Sequence, residues 1–322
     1  MPPFVTRRSI RDMRSAEYDA FGPWIVRVDS LDLVPRLYRD HPLDLERAVM
    51  VLKVPRNITR RDATPDMDLY DHLLVVGAER LEVLSRSASG YDVHVVEHRR
   101  VTAIDYGTDL LDGWLTLFAA STSVAPEAAR RRPALTLKFN SSSEEIVEEL
   151  VTALRHLALG APDASATHGG HAVSLGLLDL GELDVGLVTA QHALVRAEPD
   201  VRTLGFHARR TVTPRDPELL ERIIGAVRPT TLHAAIVCAS DRELHVIRRR
   251  RWVTSTRRPE HSVGRTVLFL ARCGRATVRD DAKLVGTRVF SVPAGTVTIE
   301  LVVPAGSSSE RALSDTLGVP LR

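Results

Sequence analysis

Apolar and polar residues alternate over much of this chain with the period of a half-buried strand. Tyr91-Asp92-Val93-His94-Val95 shows it most cleanly, successive side chains pointing to opposite faces. The run His72-Leu73-Leu74-Val75-Val76 precedes it, then a turn at Ala78-Glu79-Arg80, then Leu81-Glu82-Val83-Leu84. Ser85 to Gly90 makes the next turn. Arg100 to Ile104, Gly113 to Phe118 and Ala134 to Phe139 continue as strands. Trp24 to Val28 and Val49 to Val54 predict shorter extended pieces upstream, the second closed by Pro55. Such β-branched and aromatic side chains suit a pleated surface with one wet face.

At residue 141 the period changes. Ser141 and Glu144 have the spacing of a capping box, in which the hydroxyl accepts from a free backbone N–H and the carboxylate reaches back. Ile146, Val147, Leu150, Val151, Leu154 and Leu157 then form one apolar stripe at helical spacing. Glu144, Glu145, Glu148 and Glu149 crowd its first turns, where the helix dipole favours negative charge, and Gly160 stops it. Residues 161–182 are weakly patterned and read as a linker. Leu183 to Val195 predicts a short helix ended by Pro199.

The second half repeats the order of the first. Ala234 to Ile247 is again apolar run, charged turn, apolar run, as in Leu73 to Leu84. Arg265 to Ala271 is a strand. Arg288 to Val292 corresponds to Trp114 to Phe118, and Thr296 to Leu301 to Leu135 to Phe139. Ser307-Ser308-Ser309-Glu310 then matches Ser141-Ser142-Ser143-Glu144, with a short helix through Leu313 and Leu317. Preserved order of parts is the mark of duplication. The expected organisation is a basic arm over 1–20, a first unit over 21–160, a linker with a short helix over 161–200, and a second unit over 201–322.

Antiparallel strands closed by one C-terminal amphipathic helix resemble a bacterial pleckstrin-homology-like (PH-like) domain. The segment Glu97 to Phe118, with Ile104, Leu110-Leu111, Gly113 and Trp114-Leu115, is similar to the middle of such domains. The resemblance implies a mainly β fold with α (α+β): two PH-like bent β-sandwiches, each plugged by its C-terminal helix. It also implies a non-catalytic binding or scaffold role, with no cofactor and with a protein or an anionic lipid as partner. Fold alone does not select among these. The family's lipid-binding form places basic residues in the first strand–strand loop. In the second unit that loop carries Arg248, Arg249, Arg250, Arg251, Trp252, Arg257 and Arg258, the candidate anion site. Guanidinium groups fork onto phosphate oxygens, and the tryptophan can stack beside them.

Charge sharpens this picture. The chain has 322 residues and a net charge of only +2. Residues 1–160 hold 21 basic against 24 acidic side chains, residues 161–200 one against six, and residues 201–322 21 against 11. The basic C-terminal third would attract a polyanion, an acidic protein face, or the acidic remainder of the chain. Lysine occurs only at Lys53, Lys138 and Lys283, an arginine bias that points to a GC-rich bacterial genome. No long apolar run suggests a membrane span, and no apolar segment follows Arg7, Arg8, Arg11 and Arg14 as in a secretory signal. The expected location is the cytoplasm, or the membrane periphery if the second unit docks on lipid. Cys238 and Cys273, the only cysteines, read as small buried hydrophobes. No specific nucleic-acid motif is present.

Enzyme motifs are few. His94-Val95-Val96-Glu97-His98 spells the H-x-x-E-H of inverted zinc peptidases, which needs a helix to bring both histidines to one ion. Here it lies in a strand-like stretch, where four residues span about 13 Å. The metallopeptidase is therefore the weakest alternative. His168 and His171 flank two glycines in the linker without a third ligand. Asp105, Asp109 and Asp112 cluster near Gly107 and read as turn residues.

Overall fold

The structure, a computed structural model, describes residues 16–121, 132–160, 172–215, 229–255 and 260–321. Strand accounts for 40% of the described residues and helix for 23%, the mainly β, α+β class that the alternation predicts. Most of the expected basic arm, His168, His171, Arg257 and Arg258 lie outside the described residues. Ala16–Ala20 forms a short helix, α1.

By contact the chain separates into two compact units, one of Met1–His98 with Ser142–Leu157, the other of Arg99–Ser141 with Ala158–Arg322. The second unit gathers segments from both sides of α2 (Glu144–Leu159). The reason is a pairing between strands far apart in sequence, described below.

The first unit holds a five-stranded antiparallel sheet in chain order: β1 (Val26–Arg27), β2 (Met50–Pro55), β3 (Tyr70–Val76), β4 (Arg80–Ser87) and β5 (Gly90–Glu97). Residues 21–55 enter it as β1 and β2. Leu73 stands opposite Leu84, and Leu81 opposite Val96. One face carries a core of Val51, Tyr38, Leu73, Leu84 and Phe21. Its polar groups are satisfied locally: the Tyr38 hydroxyl donates to the Asp71 carbonyl at 2.9 Å, and the Lys53 ammonium to the Leu33 carbonyl at 3.0 Å. Helix α2 (Glu144–Leu159) starts at the expected glutamate, with Val147, Leu150, Val151 and Leu154 buried as the stripe requires. The three serines before it form a 3-10 turn, and the Ser143 hydroxyl accepts from Ile25 N–H at 2.8 Å.

The second unit is built on a seven-stranded sheet. Its strands are β6 (Val101–Asp109), β7 (Asp112–Ala119), β8 (Leu135–Asn140), β9 (Arg202–His207), β12 (Ala235–Ala239), β13 (Glu243–Arg248) and β15 (Val263–Phe269). The spatial order is β8-β7-β6-β15-β13-β12-β9. The join is antiparallel, with Ile104 opposite Val267 and Asp105 opposite Thr266. Both faces of the central strands are covered. Ile236, Cys238 and Ile247 pack against Leu187, Val188 and Leu194 of α3 (Val185–Ala197). Val237, Leu244 and Val246 pack with Phe290, Leu301 and Leu313 in a second core. Burial on both faces explains why Ala235–Ala239 is continuously apolar.

Phe290 and Leu301 belong to a three-stranded sheet of β16 (Thr277–Asp280), β17 (Thr287–Ala294) and β18 (Val297–Pro304), in that order. Leu313 belongs to α4 (Ser308–Leu317). Ser307 caps this helix, its hydroxyl accepting from Glu310 N–H at 3.1 Å while the Glu310 carboxylate takes the Gly306 N–H. The box expected from the serine run forms here with its carboxylate shifted by one residue. A small sheet, β10 (Arg210–Val212), β11 (Thr230–Leu232) and β14 (Val253–Thr254), is inserted among these strands.

Glycine is required where β6 meets β15. A Cβ on Gly107 would lie 2.2 Å from the Val263 carbonyl oxygen and 2.8 Å from the Trp114 ring. The paired Gly264 lies under the same ring, so the indole covers two bare backbones.

Candidate binding surfaces

The basic loop after β13 proves to be half internal. Strand alternation sends Arg248 and Arg249 to opposite faces, and each meets an acid distant in sequence. The Arg248 guanidinium bridges Asp105 at 2.7 Å and lies 5.2 Å from the Trp252 ring. Asp105 also accepts from the Thr266 hydroxyl at 2.6 Å and from the Trp114 indole at 2.9 Å. This predicted turn residue therefore ties β6, β7, β13 and β15 together. Trp252 is partly buried and donates its indole N–H to the Glu300 carbonyl at 3.1 Å. Arg250 is exposed and sits 4.8 Å from the Trp114 ring, and Arg251 is exposed. The expected cluster of free guanidiniums thus reduces, among the described residues, to Arg250 and Arg251.

Arg249 is 3% exposed and forks onto Asp184, which is fully buried at the start of α3. Arg209 meets the same carboxylate at 2.7 Å. Burial alone would raise the Asp184 pKa, but hydrogen bonds and charge from Arg209 and Arg249 outweigh it and hold the carboxyl below its usual range. Arg249 further donates to the Ser262 carbonyl at 2.7 Å. A charge so enclosed is stabilised by its partners and cannot turn outward to a phosphate.

A chain of polar groups runs beside it. His207 Nε2 lies 3.0 Å from the His233 carbonyl, so that nitrogen carries the proton. Its Nδ1 then accepts from the Ser309 hydroxyl at 2.7 Å. Burial pushes the His207 pKa down to about 4. Ser309 is wholly buried, so this serine–histidine pair fastens α4 to β9 and offers no nucleophile to a substrate.

The zinc-peptidase motif falls on β5 and the 3-10 turn His98–Arg100. His94 is exposed on the strand, whereas His98 is buried and held through Nε2 to the Gly77 carbonyl at 2.8 Å. The helical geometry needed for one ion is absent from this segment. Among the described residues one group has metal-ligand character: Glu198, Glu243 and His245, whose ligand atoms lie within 4.8 Å of one another. Each already has interaction partners, His245 with Glu243 among them at 3.7 Å. Burial raises the Cys238 and Cys273 thiols to about 11, which keeps both in the unreactive thiol form.

The surface that stands out was read in the sequence only as a strand. β5 pairs with β4 and, among the described residues, with nothing on its other side. Asp92, Val93, His94 and Val95 are all exposed, the two valines at 46% and 47%. An eight-residue edge with exposed valines is a template for another strand. The concavity beside α2, lined by Val49, Glu145, Glu149, Thr152 and His156, is open and acidic, unsuited to anions. No helix among the described residues is long and apolar enough to cross a membrane.

No protein-family model matches the chain, and no curated protein matches it.

Proposed function

We propose that the chain is a non-catalytic binding or scaffold protein of two tandem PH-like units, which holds an extended segment of a protein partner against β5. The tandem reading is supported by a succession that occurs twice. Four strands, a 3-10 corner, three strands and a helix run from β2 through His98–Arg100 to α2. The same parts run from β9, β12, β13 and β15 through Leu270–Arg272 to β16, β17, β18 and α4. The binding role rests on one observation: the long edge of β5 with its exposed valines. Strand addition draws affinity from main-chain hydrogen bonds and specificity from alternate side chains.

A photo-crosslinking amino acid placed at His94 tests this in cells, with exposed Arg47 as the control site. A discrete adduct at His94, lost when Val93 and Val95 are changed to proline, supports the reading. Equal labelling at both sites overturns it. Anionic lipid is the competing partner, through exposed Arg250 and Arg251. Salt-sensitive binding to anionic vesicles that survives the β5 changes would favour lipid.

A further inference from the structure

We infer that the occupant of the β5 edge is β16 of a second copy of this chain. This rests on the tandem reading above. Within the chain, β15 and β6 are joined edge to edge. β15 ends the four-strand run before the Leu270–Arg272 corner, and β6 opens the three-strand run after the His98–Arg100 corner. Their counterparts are β5, which ends before His98–Arg100, and β16, which follows Leu270–Arg272. Both counterparts are sheet edges among the described residues. Thr277, Arg279 and Asp280 of β16 are exposed, as are Asp92 to Val95 of β5. One matched pair of edges is closed inside the molecule, and the equivalent pair is open.

The internal join supplies a register. Aligning the corners places His98 on Leu270 and shifts the numbering by 172. Carried over by that shift, the internal pairs Gly264–Gly107, Arg265–Tyr106 and Thr266–Asp105 become Asp92–Arg279, Val93–Val278 and His94–Thr277. Opposite charges meet at one pair and apolar side chains at the next. Val95 takes the place of Val267, which is fully buried in the internal join. The two exposed valines of β5 would thereby be covered. Since β16 has only four residues, the ladder is short and the association weak and concentration-dependent. Joining one edge to a different edge is a head-to-tail contact, which extends into chains unless the rotation closes.

The test is sedimentation velocity over a concentration series of the full chain, with charge swaps. Asp92 and Arg279 are exposed, and Arg279 bridges only the exposed Glu300 at 2.9 Å, so Arg279→Asp costs at most a surface ion pair and thermal melting checks that the fold survives. The mass of the unaltered chain rises with concentration. Asp92→Arg or Arg279→Asp alone weakens association roughly tenfold or more by opposing like charges. The double swap in one chain restores it. An equimolar mixture of the two single variants also restores it, the two variants alternating, since each edge of one then finds its opposite charge on the other. A chain that stays monomeric throughout, or associates indifferently to both swaps, overturns the inference. If a monomeric chain still gives a His94 adduct with another protein, this inference falls while the proposed function stands.

Discussion

β15 and β5 close the two four-strand runs, yet one is enclosed and the other is open. β15 is paired on both sides, and Thr266, Val267, Leu268 and Phe269 are all buried. Among the described residues β5 is paired on one side, and it exposes four consecutive residues. The difference does not lie in strand propensity, since both runs are rich in β-branched residues. It lies in whether another strand with a matching edge is within reach. Around β15 the charges are therefore internal and structural. Along β5, Asp92 to Val95 are exposed and can meet something else.

Substitutions on the two sides should differ accordingly. The largest effect is expected at Asp184. Its change to alanine leaves Arg249 buried without its counter-charge and should cost about 3–5 kcal/mol in denaturant unfolding. Asp105→Ala strands the Arg248 guanidinium and the Trp114 N–H at the β6–β15 join, and should cost about 2–4 kcal/mol. A loss below about 1 kcal/mol would mean that Asp184 does not hold the buried arginines beside α3, or that Asp105 does not hold the β6–β15 join.

Acid should weaken the β15 side next. His207 is neutral in the fold with its pKa lowered to about 4, so the unfolded chain binds the extra proton between there and its ordinary value. Stability from this group is complete above about pH 6.5 and is lost as pH falls toward 4, by roughly 3 kcal/mol. The lowered Asp184 pKa adds a further loss at still lower pH, of the same sign. Unfolding titrations at stepped pH check the slope, which should flatten in His207→Gln.

The smallest effects are expected at exposed positions. Leu110, in the hairpin between β6 and β7, has φ of 54° and is 73% exposed. Leu110→Gly removes the left-handed strain and should raise stability by up to about 1 kcal/mol, read as a higher melting temperature. Val95→Lys on β5 should change stability by less than about 0.5 kcal/mol while abolishing partner binding.

Strand positions were legible because alternation is local. β3, β4, β5, β7 and β8 fall where the period of two placed them, and α2 where the stripe did. The pairing of β6 with β15 was not legible, since nothing in Val101–Asp109 names a partner some 160 residues away. The same blindness affected the basic loop. Four successive arginines look like one surface, but Arg248 meets Asp105 across 143 positions and Arg249 meets Asp184 across 65. Composition counts charges without counting their partners. At His94 the motif suggested metal chemistry, whereas the β-branched neighbours pointed to a strand; that the strand is an edge depends on pairing, which local pattern does not carry.

Hydrogen exchange on the full chain tests the central claim most directly, comparing β5 with β15 at low and high concentration. The β5 amides that face away from β4 should exchange fast in dilute solution and slow as copies or a partner bind, while β15 stays protected throughout. Equal and concentration-independent protection of β5 and β15 in the dilute chain would mean that the edge is already covered, and would contradict the account.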